Sequence, residues 1–318
     1  MHSPTRRAFL EKLSILAAGG IAAANVPNAL ARTDSVPTIL FPAAPRDRIS
    51  IASYPFRAYI ESPANRDRDS SLPGMNLFEF PAHVVATFKI HNIEPHSRHF
   101  TSTQPDYLDE FRKILQKTKV RVVNIAVGAT KSFYDMDADA RYDAVAYAKK
   151  WVDVAGRIGS PGIRAHIATA RNSSPNVERT AESLRQVAEY AAGKNVVVTL
   201  ENDDLVSEDA FFLVKTIEAV NHPYLRALPD FANSMLSGDA DFNYRALQAM
   251  FQHAYNICHV KDGETNDDAK LFSVDLQKSF DILRGSGFRG YCSMEFDAPG
   301  EPYGPTSKLI EQTIKFLS

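Results

Sequence analysis

The chain has 318 residues, of which 44% are hydrophobic and 23% are charged, and its formal net charge is −2. This is the composition of a globular protein with a sizeable core. No run of Lys or Arg marks a nucleic-acid track, and the mild acidity disfavours binding to DNA. Length alone does not distinguish two small domains from one barrel of roughly 250 residues.

Residues 1–31 have the order of an export signal. Arg6 and Arg7 precede Phe9 and Leu10, and a mostly apolar stretch with small residues then ends in an Ala-x-Ala pattern at 29–31. This order resembles a twin-arginine signal, with an ordinary secretory signal or a membrane anchor as the alternatives. The stretch is too short and too weakly apolar for a good membrane span. We therefore expect a periplasmic protein without a stable membrane anchor.

Short apolar runs and amphipathic stretches alternate after a linker or strap at 32–48, which contains three prolines. Strand-like runs start near residues 49, 92, 120, 162, 195, 224, 256 and 290. Helical patterns, with apolar side chains three and four residues apart, cover 107–116, 141–158, 177–192, 211–220, 244–255, 276–283 and 307–317.

This alternation predicts an α/β fold, a (β/α)8 TIM barrel that forms a single domain over residues 49–318. An open doubly wound sheet is the alternative, but it requires a Gly-rich first turn, and Tyr54 is followed by Pro-Phe-Arg. Two connections, 57–76 and 128–139, are longer than a barrel needs. Both follow strands, so we interpret them as lids, substrate loops or simple insertions.

Each of the last four predicted strands carries one polar residue at or near its end: Glu201, Asp230, His259 and Glu295. The gaps between them are 29, 29 and 36 residues, each about one βα unit of a barrel. A carboxylate on the inner face of an apolar strand is costly unless it is paired or bound to a metal. Three carboxylates and one imidazole suit Mn, Mg or Co, and also Zn. For a single residue such as Asp230, a helix N-cap or a salt bridge is the structural alternative.

The motifs around these residues are VTLEN at 198–202, LPD at 228–230, HVKD at 259–262 and SME at 293–295. They resemble the xylose isomerase-like TIM-barrel superfamily, whose ketose 3-epimerase branch includes D-tagatose 3-epimerase. The resemblance covers nearly all of residues 49–318. It implies that the four residues hold one divalent metal ion, with Mn as the preferred metal, and that Glu201 and Glu295 are the catalytic acid and base.

Such a site implies proton transfer at a carbon next to a carbonyl group. A metal on the carbonyl oxygen and the neighbouring hydroxyl stabilises an enediolate, while two carboxylates remove and return the proton. Two departures from the epimerase branch weaken 3-epimerisation as the specific reaction. Asn233 stands where that branch has a His three residues after the strand-six Asp, and Glu208 is only an approximate counterpart of its second acid.

Further polar residues are candidates for substrate binding: His96, Arg164, His166, Asn233 and Lys261. Glu94 shares a strand face with His96, as Arg164 does with His166. If these faces point inward, the side chains bind substrate hydroxyls or a carboxylate. The alternatives are an internal polar network and, for Lys261, a salt bridge to Asp262 or Glu295.

The only cysteines, Cys258 and Cys292, fall in predicted strands on the face opposite His259 and Glu295. If those two ligands lie at one level, the cysteines are offset along the barrel. Their Cα atoms then exceed the roughly 7 Å that a disulfide tolerates. We therefore expect two buried free thiols, even in an exported protein.

The leading functional interpretation is a metal-dependent sugar isomerase or epimerase that acts on a non-phosphorylated ketose or related polyol. Acidic loops at 263–268 and 298–301 disfavour a phosphate dianion. The alternatives are a lyase or glycoside-cleaving enzyme on 3-keto-sugars and, more remotely, a non-catalytic sugar-binding barrel. An endonuclease IV-like role requires a His-rich zinc cluster and a basic groove, so we expect no nucleic-acid partner. The sequence leaves the oligomeric state open, with a homo-oligomer as one option.

Overall fold

The computed structural model describes residues 36–266 and 268–318, so the predicted signal sequence at 1–31 lies outside the described residues. In chain order the strands are β1 (Ile49–Ala52), β2 (Asn92–Glu94), β3 (Arg121–Val122), β4 (Ile125–Val127), β5 (Gly162–Ala165), β6 (Val197–Glu201), β7 (Leu225–Leu228), β8 (Ile257–Val260), β9 (Gly263–Thr265), β10 (Leu271–Ser273) and β11 (Tyr291–Met294). β9 and β10 form a separate antiparallel hairpin. The other strands occupy eight positions around the barrel, here called staves, because β3 and β4 follow each other in one stave.

The staves form two arcs of hydrogen-bonded strands that meet at two seams. One arc has the order β3-β2-β1-β11-β8 and the other the order β4-β5-β6-β7, and every neighbouring pair is parallel. Parallel bridges between His96 and Ala126 and between Asp230 and His259 join the arcs. The chain therefore has the α/β class and the TIM-barrel architecture that its sequence predicts.

Eight α-helices among the described residues follow the staves. They are α1 (Phe80–Phe88), α2 (Pro105–Thr118), α3 (Ala138–Ile158), α4 (Val177–Ala192), α5 (Ala210–Val220), α6 (Ala240–Phe251), α7 (Leu276–Gly285) and α8 (Tyr303–Leu317). Seven of them confirm predicted ranges, with end points that shift by up to four residues. Across the described residues, no helix combines the length and the apolarity needed to cross a bilayer.

Helix α1 is the element that the sequence patterns do not predict. Its sequence, FPAHVVATF, is apolar around most of its circumference and lacks the single stripe of an amphipathic helix. The Asn76 side chain accepts two backbone N–H groups of the next turn, and the Glu79 carboxylate accepts the backbone N–H of Asn76. Phe56 is fully buried, with its ring 5.8 Å from that of Phe80 and 5.3 Å from that of Tyr303. Packing against the core therefore stabilises α1.

The segment before β1 crosses the amino-terminal ends of several strands. The carbonyl of Pro37 accepts a hydrogen bond from the Tyr255 hydroxyl, and the backbone N–H of the next residue donates to the Asn195 side chain. The ring of Phe41 packs edge to face on Tyr255 and Tyr291. This segment therefore lies at the end of the ring opposite to the carboxyl ends of the strands.

The two cysteines lie side by side, which corrects the expected offset along the barrel. The register of β8 and β11 pairs Cys258 directly with Cys292, and their Sγ atoms are 3.8 Å apart. The expectation assumed that His259 and Glu295 lie at one level, whereas His259 pairs with Ser293, two residues earlier. Both cysteines are buried and free, as predicted.

Two connections differ from a simple loop. The acidic segment after β8 forms the hairpin β9–β10, which packs on the 3-10 turn Asn233–Ser237. In the connection 128–139, Phe133 and Tyr134 are buried. Their carbonyls accept hydrogen bonds from the side chains of Ser183 and Arg179 in α4, both at 2.9 Å. These contacts hold the aromatic part of this connection against α4.

Candidate metal centre and substrate cavity

The four predicted ligands converge at the carboxyl ends of the strands. Glu201 ends β6, and Asp230 lies two residues beyond β7. His259 belongs to β8, and Glu295 follows β11 directly. All four are buried, and Asp230 and His259 are completely so. One ligand atom from each residue lies within 4.8 Å of the others. The barrel thus brings together four side chains that are distant in sequence.

The imidazole of His259 has acidic partners on both sides. Its Nδ1 lies 2.7 Å from Glu201 Oε1, 3.0 Å from Glu295 Oε2 and 3.8 Å from Asp230 Oδ2. Its Nε2 lies 2.9 Å from Glu94 Oε2. Burial lowers the pKa of His259, but the carboxylates of Glu201, Glu295 and Glu94 outweigh burial and raise this pKa well above its usual value. When Nε2–H donates to Glu94, Nδ1 is the ligand atom directed at the other three carboxylates.

Asp230 has one oxygen that lacks a hydrogen bond. Oδ1 accepts the backbone N–H groups of Ala232 and Asn233, both at 2.8 Å. Oδ2 is buried and has no hydrogen-bond partner within residues 36–266 and 268–318. Burial raises the pKa of Asp230 to about 7, although Lys261 opposes this. A buried carboxylate oxygen without a hydrogen bond is costly, and a bound cation removes that cost. The donor set of three carboxylates and one imidazole therefore fits a divalent metal ion.

Glu94 is a member of this centre that the predicted ligand set omits. It ends β2, is 1% exposed, and contacts His259 across the ring. Its Oε1 accepts a hydrogen bond from Asn124 Nδ2 at 2.8 Å, which leaves Oε2 for the imidazole. A carboxylate in this place fixes the tautomer and the orientation of a metal-binding histidine. The sequence signal for it is an acid two residues before His96, on the same strand face.

A cavity of about 160 Å³ lies beside the four ligands at the carboxyl ends of the strands. Pockets for drug-sized ligands measure roughly 300–1,000 Å³, so this cavity suits a molecule about the size of one sugar unit. Glu201 and Glu295 belong both to the ligand set and to the cavity lining, so a molecule in the cavity lies next to the proposed metal. A larger cleft of about 920 Å³ lies elsewhere, between α6 and α7.

Four of the five predicted substrate-binding residues line this cavity: His96, Arg164, Asn233 and Lys261. Asn233 Nδ2 lies 3.3 Å from Glu201 Oε1, and Asn233 Oδ1 accepts a hydrogen bond from Lys261 Nζ at 2.8 Å. Lys261 Nζ also lies 3.3 Å from Glu295, one of its two predicted partners. Its nearest carboxylate is Glu264 of the hairpin, at 3.0 Å, and sequence reasoning did not single out that residue.

His166 lies beside the cavity and is absent from its lining. Its Nδ1 is 2.8 Å from Glu208 Oε2 and 3.1 Å from Asp203 Oδ2. Burial raises the pKa of Glu208 to about 7. Burial lowers the pKa of His166, but Glu208 and Asp203 outweigh burial and raise this pKa to about 10. Ligand atoms of these three residues also lie within 4.8 Å of one another, but Arg164 Nη1 already supplies positive charge 3.0 Å from Asp203. A substrate contact by His166 stays a prediction.

Comparison with known proteins supports the same architecture. Residues 83–318 match a family model described as xylose isomerase-like TIM barrel. No curated protein sequence matches the chain. One similar solved structure is 3-keto-D-glucoside 4-epimerase from E. coli, with 15% identity, a TM-score of 0.61, and coverage of 84% of this chain and 98% of that chain.

Two further solved structures show the same likeness. A xylose isomerase-like TIM barrel protein from Mycobacterium smegmatis, in complex with magnesium, is 14% identical, with a TM-score of 0.64 and coverage of 85% and 96%. D-Psicose 3-epimerase from Clostridium cellulolyticum, with D-tagatose, is 14% identical, with a TM-score of 0.60 and coverage of 85% and 96%. At these identities, the structures are evidence for the fold alone.

Proposed function

Because the chain belongs to the xylose isomerase-like TIM-barrel family, we propose that it is a metal-dependent sugar isomerase or epimerase. Its proposed substrate is a non-phosphorylated ketose or related polyol, and the reaction moves a proton at the carbon next to the carbonyl. The observation that carries this proposal is the convergence of four buried ligand atoms beside a cavity that Glu201 and Glu295 line. Similar structures include a keto-glucoside epimerase and a ketose 3-epimerase.

One divalent ion, Mn²⁺ first and Mg²⁺, Co²⁺ or Zn²⁺ as alternatives, is proposed to bind Glu201, Asp230, His259 and Glu295. When bound, such an ion stabilises the negative charge that develops on the carbonyl oxygen as the proton leaves. The other residues of the centre favour this role. Glu94 orients the His259 ring, and the buried Oδ2 of Asp230 is available to a cation.

Glu201 and Glu295 are proposed to exchange the substrate proton. They reach the cavity from β6 and from the end of β11, so they approach a bound molecule from different staves. Burial raises the pKa of Glu295, but His259 and Lys261 outweigh burial and bring this pKa to about 2. Glu295 is therefore ionised at neutral pH and can accept a proton. Return of a proton to the opposite face inverts the carbon, whereas its return to the neighbouring carbon isomerises the sugar.

His96, Asn233 and Lys261 are proposed to hold substrate oxygens. Burial lowers the pKa of His96 well below its usual value, so its ring is neutral. Its Nδ1 accepts the backbone N–H of Arg98 at 3.1 Å, which leaves Nε2–H as a donor. Lys261 and Asn233 contribute an ammonium and an amide beside Glu295 and Glu201.

Deuterium exchange from heavy water tests this proposal. Manganese-loaded protein is incubated with a panel of free ketoses, and the sugars are analysed by mass spectrometry and NMR. We expect one solvent deuterium at the carbon next to the carbonyl, and a turnover about 10²–10⁴-fold lower in Glu201→Gln and Glu295→Gln. The control Glu110→Gln, at an exposed helix position paired with Lys113, retains wild-type turnover. Sugar binding without any proton exchange would instead indicate a non-catalytic sugar-binding barrel.

A lyase or glycoside-cleaving reaction on a 3-keto-sugar is the second candidate, because it begins with the same proton removal. Lys261 favours it. Burial lowers the pKa of Lys261, but Asp230, Glu295 and Glu264 outweigh burial and raise this pKa well above its usual value. The cavity therefore contains a permanent ammonium group, which can donate a hydrogen bond to a leaving oxygen.

Product analysis distinguishes the two reactions. A 3-keto-glucoside and a free ketose are each incubated with the manganese-loaded protein, and the products are separated by chromatography. Isomerisation of the ketose with the glycoside left intact supports the leading proposal. Release of the aglycone, lowered in Lys261→Met, supports the lyase and contradicts the isomerase.

We further propose that residues 1–31 direct export to the periplasm by the twin-arginine route. Cell fractionation tests this, with the double variant Arg6→Lys, Arg7→Lys as the comparison. The wild type is expected in the periplasm in a shortened form, and the double variant is expected in the cytoplasm at full length. Normal export of the double variant would point to an ordinary secretory signal.

A further inference from the structure

Charged residues form a second layer around the cavity, beyond the proposed metal ligands. Asp203, Lys261 and Asp297 each follow a proposed ligand by two residues, just beyond the ends of β6, β8 and β11, and all three line the cavity. Each of them has a partner of opposite charge. The three ion pairs are Arg164–Asp203 at 3.0 Å, Lys261–Glu264 at 3.0 Å and Arg57–Asp297 at 2.7 Å.

In these pairs, the cationic side chains Arg164 and Lys261 of the lining already contact a carboxylate. The remaining lining arginine, Arg98, lies 3.7 Å from Asp67. An ion pair offers a donor and an acceptor at one place, which matches a hydroxyl group because a hydroxyl both donates and accepts. A phosphate dianion or a carboxylate has no proton to give and must first displace a carboxylate from its cation. It also meets Glu201 and Glu295 at the same cavity, and like charges at close range are unfavourable.

We propose that the three ion pairs determine substrate specificity: they favour uncharged polyhydroxyl substrates over sugar phosphates and sugar acids. This inference rests on the proposed function only in that the cavity is taken as the substrate site. The Arg57 pair is held from the connection after β1. Its guanidinium stacks 4.2 Å above the Tyr54 ring and donates to Asp297 Oδ1. The pair is partly exposed, at 28% and 20%, so its substitution is the least disruptive test.

The experiment removes a carboxylate and retains its cation. Manganese-loaded wild type and Asp297→Asn are titrated with inorganic sulfate by calorimetry. We expect the variant to bind sulfate about tenfold more tightly than the wild type, because Arg57 loses its partner. Glu264→Gln, which removes the nearest of the carboxylates around Lys261, is the second variant and changes sulfate affinity in the same direction. Asp109→Asn is the matched control, since it releases Arg157 from a surface pair remote from the cavity lining.

A second arm compares D-fructose with D-fructose 6-phosphate. The wild type is expected to favour the uncharged sugar by about tenfold, and Asp297→Asn is expected to reduce this preference. Equal or tighter binding of the phosphate by the wild type overturns the inference. The inference is also overturned if the sulfate affinity of both variants stays at the level of Asp109→Asn. If neither sugar binds, the sulfate titration decides alone. Sulfate binding requires no turnover, so an inactive protein with the expected sulfate response would refute only the proposed reaction.

Discussion

Glu94, at the end of β2, connects Asn124 and His259 of β8 through single hydrogen bonds. Asn124 donates to one of its carboxylate oxygens, and the other oxygen faces His259 Nε2. Because both oxygens are engaged, the carboxylate has one orientation, and the imidazole is held in the tautomer that directs Nδ1 at the proposed metal. Loss of the charge or of one acceptor is therefore expected to disturb metal binding.

Glu94→Gln tests this at the scale of one residue. An amide has only one oxygen, so only one of the two positions that face Asn124 and His259 remains an acceptor, and an NH₂ group at the other opposes its partner's N–H. We expect the affinity for Mn²⁺ to fall by about 10- to 100-fold. Competition with a chelator measures this affinity, and Glu110→Gln serves as the exposed control. An unchanged affinity would show that Glu94 does not position His259.

His166 is expected to make stability depend on pH. Burial lowers its pKa, but Glu208 and Asp203 outweigh burial and raise this pKa from 6.5 to about 10 in the folded protein. Because this pKa is raised, the stabilisation of the fold by protonated His166 is complete below pH 6.5 and is lost as the pH rises through about 10. The free energy of unfolding should therefore fall more over this range in the wild type than in His166→Gln. Urea unfolding at both ends of the range measures it, and parallel curves would contradict the prediction.

Among the elements, α1 shows how packing replaces amphipathic pattern. The ring of Phe56 lies against rings of both α1 and α8, so one side chain joins the first connection to the last helix. Phe56→Ala is expected to lower the free energy of unfolding by about 3–5 kcal/mol, because it leaves a cavity in the core. Leu40→Ala, at a position 92% exposed, is the control, with a change below about 0.5 kcal/mol. Urea unfolding compares the two, and a similar small effect in both would mean that the site collapses around the smaller side chain.

The hairpin β9–β10 shows a limit of pattern-based prediction at the scale of elements. Its strands, with sequences GET and LFS, are three residues long and carry no alternation long enough to identify. Asn266 and Lys270 close the turn through backbone and side-chain hydrogen bonds. The hairpin brings Glu264 to Lys261, so an element that the sequence patterns do not predict supplies one of the charges at the cavity.

For the whole molecule, metal binding is expected to contribute to stability, since the four ligands come from four separate staves. A cation that binds only the folded barrel stabilises it by about 2.7 kcal/mol at about 100 times its dissociation constant. Removal of manganese with a chelator should therefore lower the melting temperature, and added Mn²⁺ should restore it. In Asp230→Asn both responses should disappear. A wild-type melting temperature that ignores both chelator and metal would contradict a shared cation site.

The order of the barrel strands and of seven of the eight described helices follows from the sequence alone, because apolar spacing reports which face of each element is buried. The four candidate ligands were also predictable, since parallel strands present their carboxyl ends at one rim and a buried carboxylate requires a partner. Only the tertiary structure decides which residues of neighbouring strands lie side by side. Register places Cys258 beside Cys292 and His259 two residues below Glu295. Contacts across the ring, such as Glu94 to His259, and ion pairs between connections, such as Arg57 to Asp297, exist only once the barrel closes. No local pattern records them, because they join segments whose separation in sequence bears no relation to their distance in space.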